Sequence, residues 1–374
     1  MIYLDNAATT LKKPETVARA VFDAIATVGN SGRGAGAPSL AASELVYETR
    51  ALISELFNVG KAENVAFALN ATDALNIAIN GLFTQKDHII TTAAEHNSVL
   101  RPIYALGNYS IAPCDESANI DYAAMEGLIR PDTRGIVCTH CSNLTGNITD
   151  LERVSEICKR NGLLFVLDTA QSAGVLDIDM QKYGIDALCF TGHKSLYGIQ
   201  GTGGICIRDG LEIRPFRRGG SGIRTFDKEH PEVMPTRLEA GTLNAHGIAG
   251  LNAGVKFVLE TGTRAIREKL DTLTKRLYEG LKEIEGVTVY GDFSGEHGAV
   301  VSMNMEGISS EELSYILDEE YGIVTRAGGH CAPLMHEHLG TRESGALRFS
   351  MSYFNSDDEI EETIMAVKEL AESV

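Results

Sequence analysis

Several things are missing from this sequence, and each absence narrows its class. There is no tryptophan, no low-complexity tract and no evident repeat, so a repeat array is excluded. No apolar run approaches the length that spans a bilayer, and no membrane partner is expected. The first residues, MIYLDNAATT, carry neither a charged leader nor a long apolar stretch, so no secretory signal is expected. Basic residues are few: 33 against 51 acidic ones give a net charge of −18. Nucleic-acid binding needs a basic face and is therefore not expected. The densest group, Arg214 to Arg218, reads as a loop beside an acidic neighbour or an anionic ligand. The seven cysteines are scattered and odd in number, which argues for free thiols in a reducing cytoplasm. Cys138 and Cys141 form a C-x-x-C without a second pair, and on a strand such positions face opposite sides. His336 and His338 lack a third ligand. No metal is expected at either place.

What remains is a soluble α/β pattern. At 374 residues, 44% apolar and 22% charged, the chain has room for two domains. Pro14 opens a helix to about Ala26. A glycine-rich loop follows, Gly29 to Pro38, with Arg33 in its middle. Its glycines would let backbone run close to a ligand or partner, but Ser39 stands where a dinucleotide fingerprint needs its third glycine. The Gly201–Gly204 cluster fails the same test at Cys206. Ser39 is expected to cap a helix to about Phe57. From about 60 to 210, strand-like runs alternate with helices, which predicts a mainly parallel sheet covered on both faces. Thr149 to Glu152 reads as a capping box. From about 250 the pattern becomes a helical run to about Ile284, a strand pair over 287–305, a helix capped at Ser309, strands near 323–325 and 346–351, and a last helix capped by Ser356 with Glu359.

The chemistry-bearing residues collect at strand ends. Asp168 closes the run Leu163 to Leu167. Ala187 to Phe190 delivers Thr191, Gly192, His193 and Lys194 into a glycine turn. In open α/β sheets ligands bind beyond the carboxyl ends of the strands. A pyridoxal phosphate (PLP) site needs a lysine for its Schiff base and a carboxylate against the ring nitrogen. Lys194 and Asp168 fit those tasks, Thr191 with His193 the phosphate, and Gln171 the ring oxygen. Asn70-Ala71-Thr72, between a strand and a helix, offers free N–H groups and a helix dipole to the same phosphate. His96 leaves another strand end and could stack on a flat ring.

These residues resemble the class V aminotransferase family, within its cysteine desulfurase and selenocysteine lyase branch. The likeness runs end to end through YLDNAATT, AEHNSV, SNLTG, DTAQSAG, FTGHKSLYG, EAGTLN, RAGGHCAPL and LRFSMSYFN. It implies PLP-dependent transferase fold type I. The large domain (15–250) would carry a mainly parallel seven-stranded sheet, and a smaller α+β C-terminal domain would combine 1–14 with 251–374. It implies a homodimer in the cytoplasm, with Thr242 reaching the phosphate from a second subunit. Lys194, His96 and Cys331 become the catalytic residues. Ala71, Thr72, Asp168, Gln171, Thr191 and His193 join Lys194 and His96 in holding the cofactor. Asn143 and Arg348 would bind the carboxylate of L-cysteine or a related amino acid, Arg being suited to a bidentate pair. Cys331 would accept the sulfur as a persulfide and pass it to an acceptor protein. Neighbouring His330 could help supply its thiolate, and Gly328-Gly329 could let the loop swing. Selenocysteine lyase, cysteine sulfinate desulfinase or another class V reaction are the alternatives on this site. The sequence departs from relatives at Gly36 and Gly329, where a histidine or larger residue is common.

Overall fold

A computed structural model describes residues 1–32 and 34–373. Arg33, expected in the middle of the glycine-rich loop, lies outside the described residues. The chain opens with β1 (Ile2–Tyr3), α1 (Glu15–Thr27) and α2 (Ala37–Leu56). Alternation follows: β2 (Val65–Ala68), α3 (Ala71–Leu82), β3 (His88–Thr92), α4 (Asn97–Leu106), β4 (Tyr109–Ala112), α5 (Tyr122–Gly127), β5 (Thr133–Thr139). Next come α6 (Leu151–Asn161), β6 (Leu164–Asp168), α7 (Met180–Tyr183), β7 (Ala187–Thr191) and β8 (Gly203–Ile207). The rest is α8 (Ala245–Thr261), α9 (Thr263–Lys282), β9 (Val287–Tyr290), β10 (Val300–Met305), α10 (Ser310–Tyr321), β11 (Ile323–Val324), α11 (Pro333–Leu339), β12 (Leu347–Ser350) and α12 (Asp357–Ser373).

The main sheet has seven strands in the order β2-β8-β7-β6-β5-β3-β4. All pairs are parallel except those of β8, which runs against both β2 and β7. The near-continuous apolar runs are explained by burial on both faces. Phe165 and Leu167 pack with Val154 and Ile157 of α6, while Leu164 and Val166 pack with Leu75 and Ile79 of α3. The period of two thus divides one strand between two cores. β3, β5, β6 and β7 all point their carboxyl ends the same way, so Thr92, Thr139, Asp168 and Thr191 meet along one edge.

A second body is built on the antiparallel sheet β12-β10-β9 and on the parallel pair β1-β11, in which Ile2 sits opposite Ile323. Its core joins Ile2 and Leu4 to Leu273 and Leu277 of α9, Val301, Phe349 and Ile360. The expected break after residue 250 falls inside α8, one unbroken helix. The long helical run predicted to Ile284 is two helices, divided at Gly262 with φ +84°.

Several caps differ from expectation. The α2 cap is Gly36, not Ser39, with Pro38 in the first turn. That glycine has an ordinary φ of −79°. The α6 cap is Asp150, whose carboxylate accepts the N–H groups of Glu152 and Arg153. Thr149 instead donates its hydroxyl to the Thr139 carbonyl at 2.6 Å, because its neighbour already serves the helix. Ser309 does cap α10, accepting from Glu312 N–H at 3.1 Å. Ser356 and Glu359 cap each other's N–H groups at 3.2 and 3.0 Å, the reciprocal box.

Candidate active site

The edge of strand ends opens into a cavity of about 230 Å³. Nine sequence-predicted residues line it: Ala71, Thr72, His96, Asn143, Asp168, Gln171, Thr191, His193 and Lys194. Lys194 follows β7 through a turn that needs Gly192, where an added Cβ would lie 2.2 Å from the Thr202 hydroxyl. Burial pushes the Lys194 amine down to about 8, against the opposing pull of Asp168. Asp168 ends β6, is buried, and accepts the Ala170 N–H at 2.9 Å. Burial raises its carboxyl above the ordinary range. Gln171 is oriented by its amide N–H, which donates to the Ala7 carbonyl at 3.1 Å.

An anion fits the other end of the cavity. Thr191 Oγ1 is buried there with no hydrogen-bond partner among the described residues. α3 begins beside it, and the Asn70 side chain accepts the Asp73 N–H. The N–H groups of Ala71 and Thr72 have no acceptor within their own helix. Asn70 is thus the cap, and the Thr72 hydroxyl pairs with Ser98 Oγ at 2.7 Å. The His193 ring bonds Thr9 Oγ1 through Nδ1 at 3.0 Å, leaving Nε2 for a ligand. A lysine, a buried carboxylate and an unpartnered hydroxyl at a helix N-terminus are the donor set that a PLP ring and its phosphate require.

His96 ends the β3–α4 turn. Its Nδ1 accepts the Ser98 N–H at 3.0 Å, so a neutral ring carries its proton on Nε2. Burial, reinforced by Lys194, lowers its pKa to about 4. Ser98 ties this ring to Thr72 and was not singled out from the sequence. It could have been found as the serine two places after His96.

Three predicted residues do not line the cavity. Arg348 is buried beside it; its guanidinium donates to the Asn143 carbonyl at 3.0 Å and to Asp5 Oδ1 at 2.8 Å. Its Nε is buried without a partner. Cys331 is exposed, the other six cysteines being buried or half-buried. Its backbone is held close by: Asn97 N–H donates to the Cys331 carbonyl at 2.8 Å, and the Asn143 amide to the His330 carbonyl at 2.7 Å. His330 and Cys331 both adopt positive φ, +44° and +56°. The His330 ring donates from Nε2 to the Ala346 carbonyl at 2.8 Å. Burial, with Arg348 adding to it, takes His330 down to about 3, so it brings no positive charge to the thiol. Gly328, at the start of the loop expected to swing, is bonded to Ala346 in both directions.

Thr242 lies elsewhere, on a separate cavity of about 900 Å³ between the 218–243 segment and α2. Asn30, Ser31 and Gly32 of the glycine-rich loop line that cavity too, not the one at Lys194. The arginine cluster does have its acidic neighbour: Arg217 pairs with Asp73 at 3.1 Å.

Comparisons with known proteins agree with this arrangement. The family model described as aminotransferase class-V matches residues 2–363. A probable cysteine desulfurase of Methanothermobacter thermautotrophicus is 32% identical, the match covering 99% of this chain and 94% of that protein. The solved apo structure of cysteine desulfurase from Thermococcus onnurineus NA1 superposes with a TM-score of 0.93 at 32% identity, covering 100% of this chain and 95% of that one. Cysteine desulfurase CsdA from Escherichia coli gives a TM-score of 0.89 at 26% identity, covering 100% and 95%. A lysine and an aspartate at neighbouring strand ends, on a fold shared along its whole length, therefore have one source: the chain belongs to the class V aminotransferase family.

Proposed function

We propose that this protein is a PLP-dependent cysteine desulfurase that converts L-cysteine to L-alanine and collects the sulfur on Cys331. The observation that carries the reading is the tether of the exposed Cys331 backbone to Asn97 and Asn143, at the wall of the Lys194 cavity. When bound, the cofactor supplies an electron sink for the pair left at the substrate α-carbon.

The residues divide the remaining work. Lys194 bonds the cofactor, and its lowered pKa leaves a useful neutral fraction to move the α-proton. Asp168 holds the proton on the ring nitrogen, and Gln171 serves the ring oxygen. Thr191, His193 and the N–H groups of Ala71 and Thr72 hold the phosphate. His96 offers a neutral ring face. Asn143 and Arg348 receive the substrate carboxylate, through the Arg348 Nε that lacks a partner. The Cys331 thiolate attacks the substrate sulfur. A sulfur–sulfur bond forms, the substrate carbon–sulfur bond breaks, and alanine is left after protonation.

The assembly around this site is part of the same proposal. We read 15–250 as the large domain and 1–14 with 251–374 as the small one, supported by two cores each drawn mainly from one of them, with α8 running across the boundary. A homodimer would bring Thr242 to a second subunit's site, supported by its place on a cavity other than the one at Lys194 and by the exposed Phe216, Ile223 and Phe226 nearby in sequence. An exposed Cys331 suits transfer to an acceptor protein, and unpaired thiols suit the cytoplasm. The test is product analysis by the reconstituted protein. Alanine and sulfide from L-cysteine are expected. Turnover of selenocysteine or cysteine sulfinate alone would reassign the substrate, and amino transfer to a keto acid would reassign the reaction.

A further inference from the structure

Behind the cavity lies a carboxyl that the proposed chemistry leaves without a task. Glu95 is fully buried, one residue before His96. Its Oε1 accepts from the Thr92 hydroxyl at 2.6 Å and from the Thr139 N–H at 3.0 Å. Thr92 ends β3. Thr139 ends β5, lines the cavity and sits opposite Asp168 in the sheet register. The second oxygen, Oε2, is buried without a partner among the described residues. One side chain thus ties two strand ends to the turn that presents His96. The titratable groups facing it are Asp168 and the thiols Cys114 and Cys138. None of them can supply positive charge. Two carboxylates in one dry region do not both ionise readily.

We infer that Glu95 is a positioning residue, a neutral carboxylic acid that fixes the β5 end and the His96 turn around Asp168 and leaves Asp168 the single buried anion at the cofactor ring. The inference rests on the PLP reading above. Burial pushes Glu95 up to about 8, with Asp168 adding to the rise and the bonds from Thr92 and Thr139 opposing it. Ionisation above that range would put a second negative charge behind Asp168 and move the titration of the bound cofactor.

Two variants of the full chain test this. Infrared difference spectra between wild type and Glu95→Gln at neutral pH should show the carbonyl band of a protonated carboxylic acid. A carboxylate band in its place overturns the inference, whether or not cofactor binds. PLP titration of the apoprotein reads the positioning. Glu95→Gln keeps the Oε1 acceptor and should bind within about threefold of wild type, whereas Glu95→Ala, which frees two buried donors, should bind at least about tenfold more weakly. Equal affinity in all three overturns it. If Glu95→Ala does not fold, the cofactor absorbance decides: a pH-dependent shift present in wild type and absent in Glu95→Gln supports the inference, and identical curves overturn it. A wild type that takes up no PLP would sink the cofactor reading, while the infrared result still decides the state of Glu95.

Discussion

The cavity wall and the 326–333 loop are built by opposite means. Asp168 ends a strand and Lys194 and His96 follow strand ends within a few residues, in a buried setting that shifts their pKa values. Cys331 stands in an exposed turn outside any helix or strand, with two successive left-handed residues. Such residues cost of order 1–3 kcal/mol each and persist only when surrounding structure fixes them. Here the fixing is done by hydrogen bonds to Asn97, Asn143 and Ala346. The difference suits the chemistry proposed for the two regions. An electron sink needs dry, prearranged groups, whereas a sulfur acceptor must be reached from outside.

The largest expected effects separate the two regions. Lys194→Ala should lose both the cofactor's covalent absorption band and alanine formation. Cys331→Ala should keep the band and lose desulfuration of free cysteine. Both losses should be on the order of 10²-fold or more, read by alanine assay beside the absorption spectrum. Full activity in Cys331→Ala would erase the distinction.

Next in size is the tie between the regions. Asn143→Ala leaves the buried His330 carbonyl without its donor, a loss of about 1–3 kcal/mol. It should lower Tm and speed alkylation of Cys331. An unchanged alkylation rate would mean that the tether does not hold the thiol. Under native conditions an alkylating agent should label Cys331 first, and mass spectrometry of the denatured chain should find all seven thiols. The buried ones are held back both by access and by raised pKa: burial pushes Cys141 and Cys158 to about 12.

The last expected effect builds up gradually with pH and is confined to the cavity wall. The folded-state pKa of Glu95, about 8, lies above its ordinary 4.5. The stability linked to its proton is full below about pH 4.5 and is lost as pH rises toward 8, by at most about 1.4 kcal/mol per unit. Glu95→Gln should remove that slope, so its Tm should gain on wild type between those values. Parallel Tm curves would mean that Glu95 ionises normally.

The cavity wall was also the more legible region. Asp168 ends one apolar run and Lys194 follows another by a short glycine turn, so the two runs alone bring them to strand ends. The resemblance supplied Cys331 but not its surroundings. No spacing rule reveals that Arg348 pairs with Asp5, 343 residues away. Nor could the chain order tell that His330 is neutral, since that depends on burial and on the Ala346 carbonyl. Asp150 displaced Thr149 as a cap because two oxygen-bearing residues stood side by side. Glu95 was hidden by its neighbour: within AEHNSV the histidine drew the functional reading, and the carboxylate carried no pattern of its own.

The most direct test of the account is a single turnover of the reconstituted protein with L-cysteine, followed by mass spectrometry of the peptide carrying Cys331. One added sulfur on that peptide, with one alanine released, is the predicted result. Alanine release with no sulfur on Cys331, or sulfur on another cysteine, would contradict it.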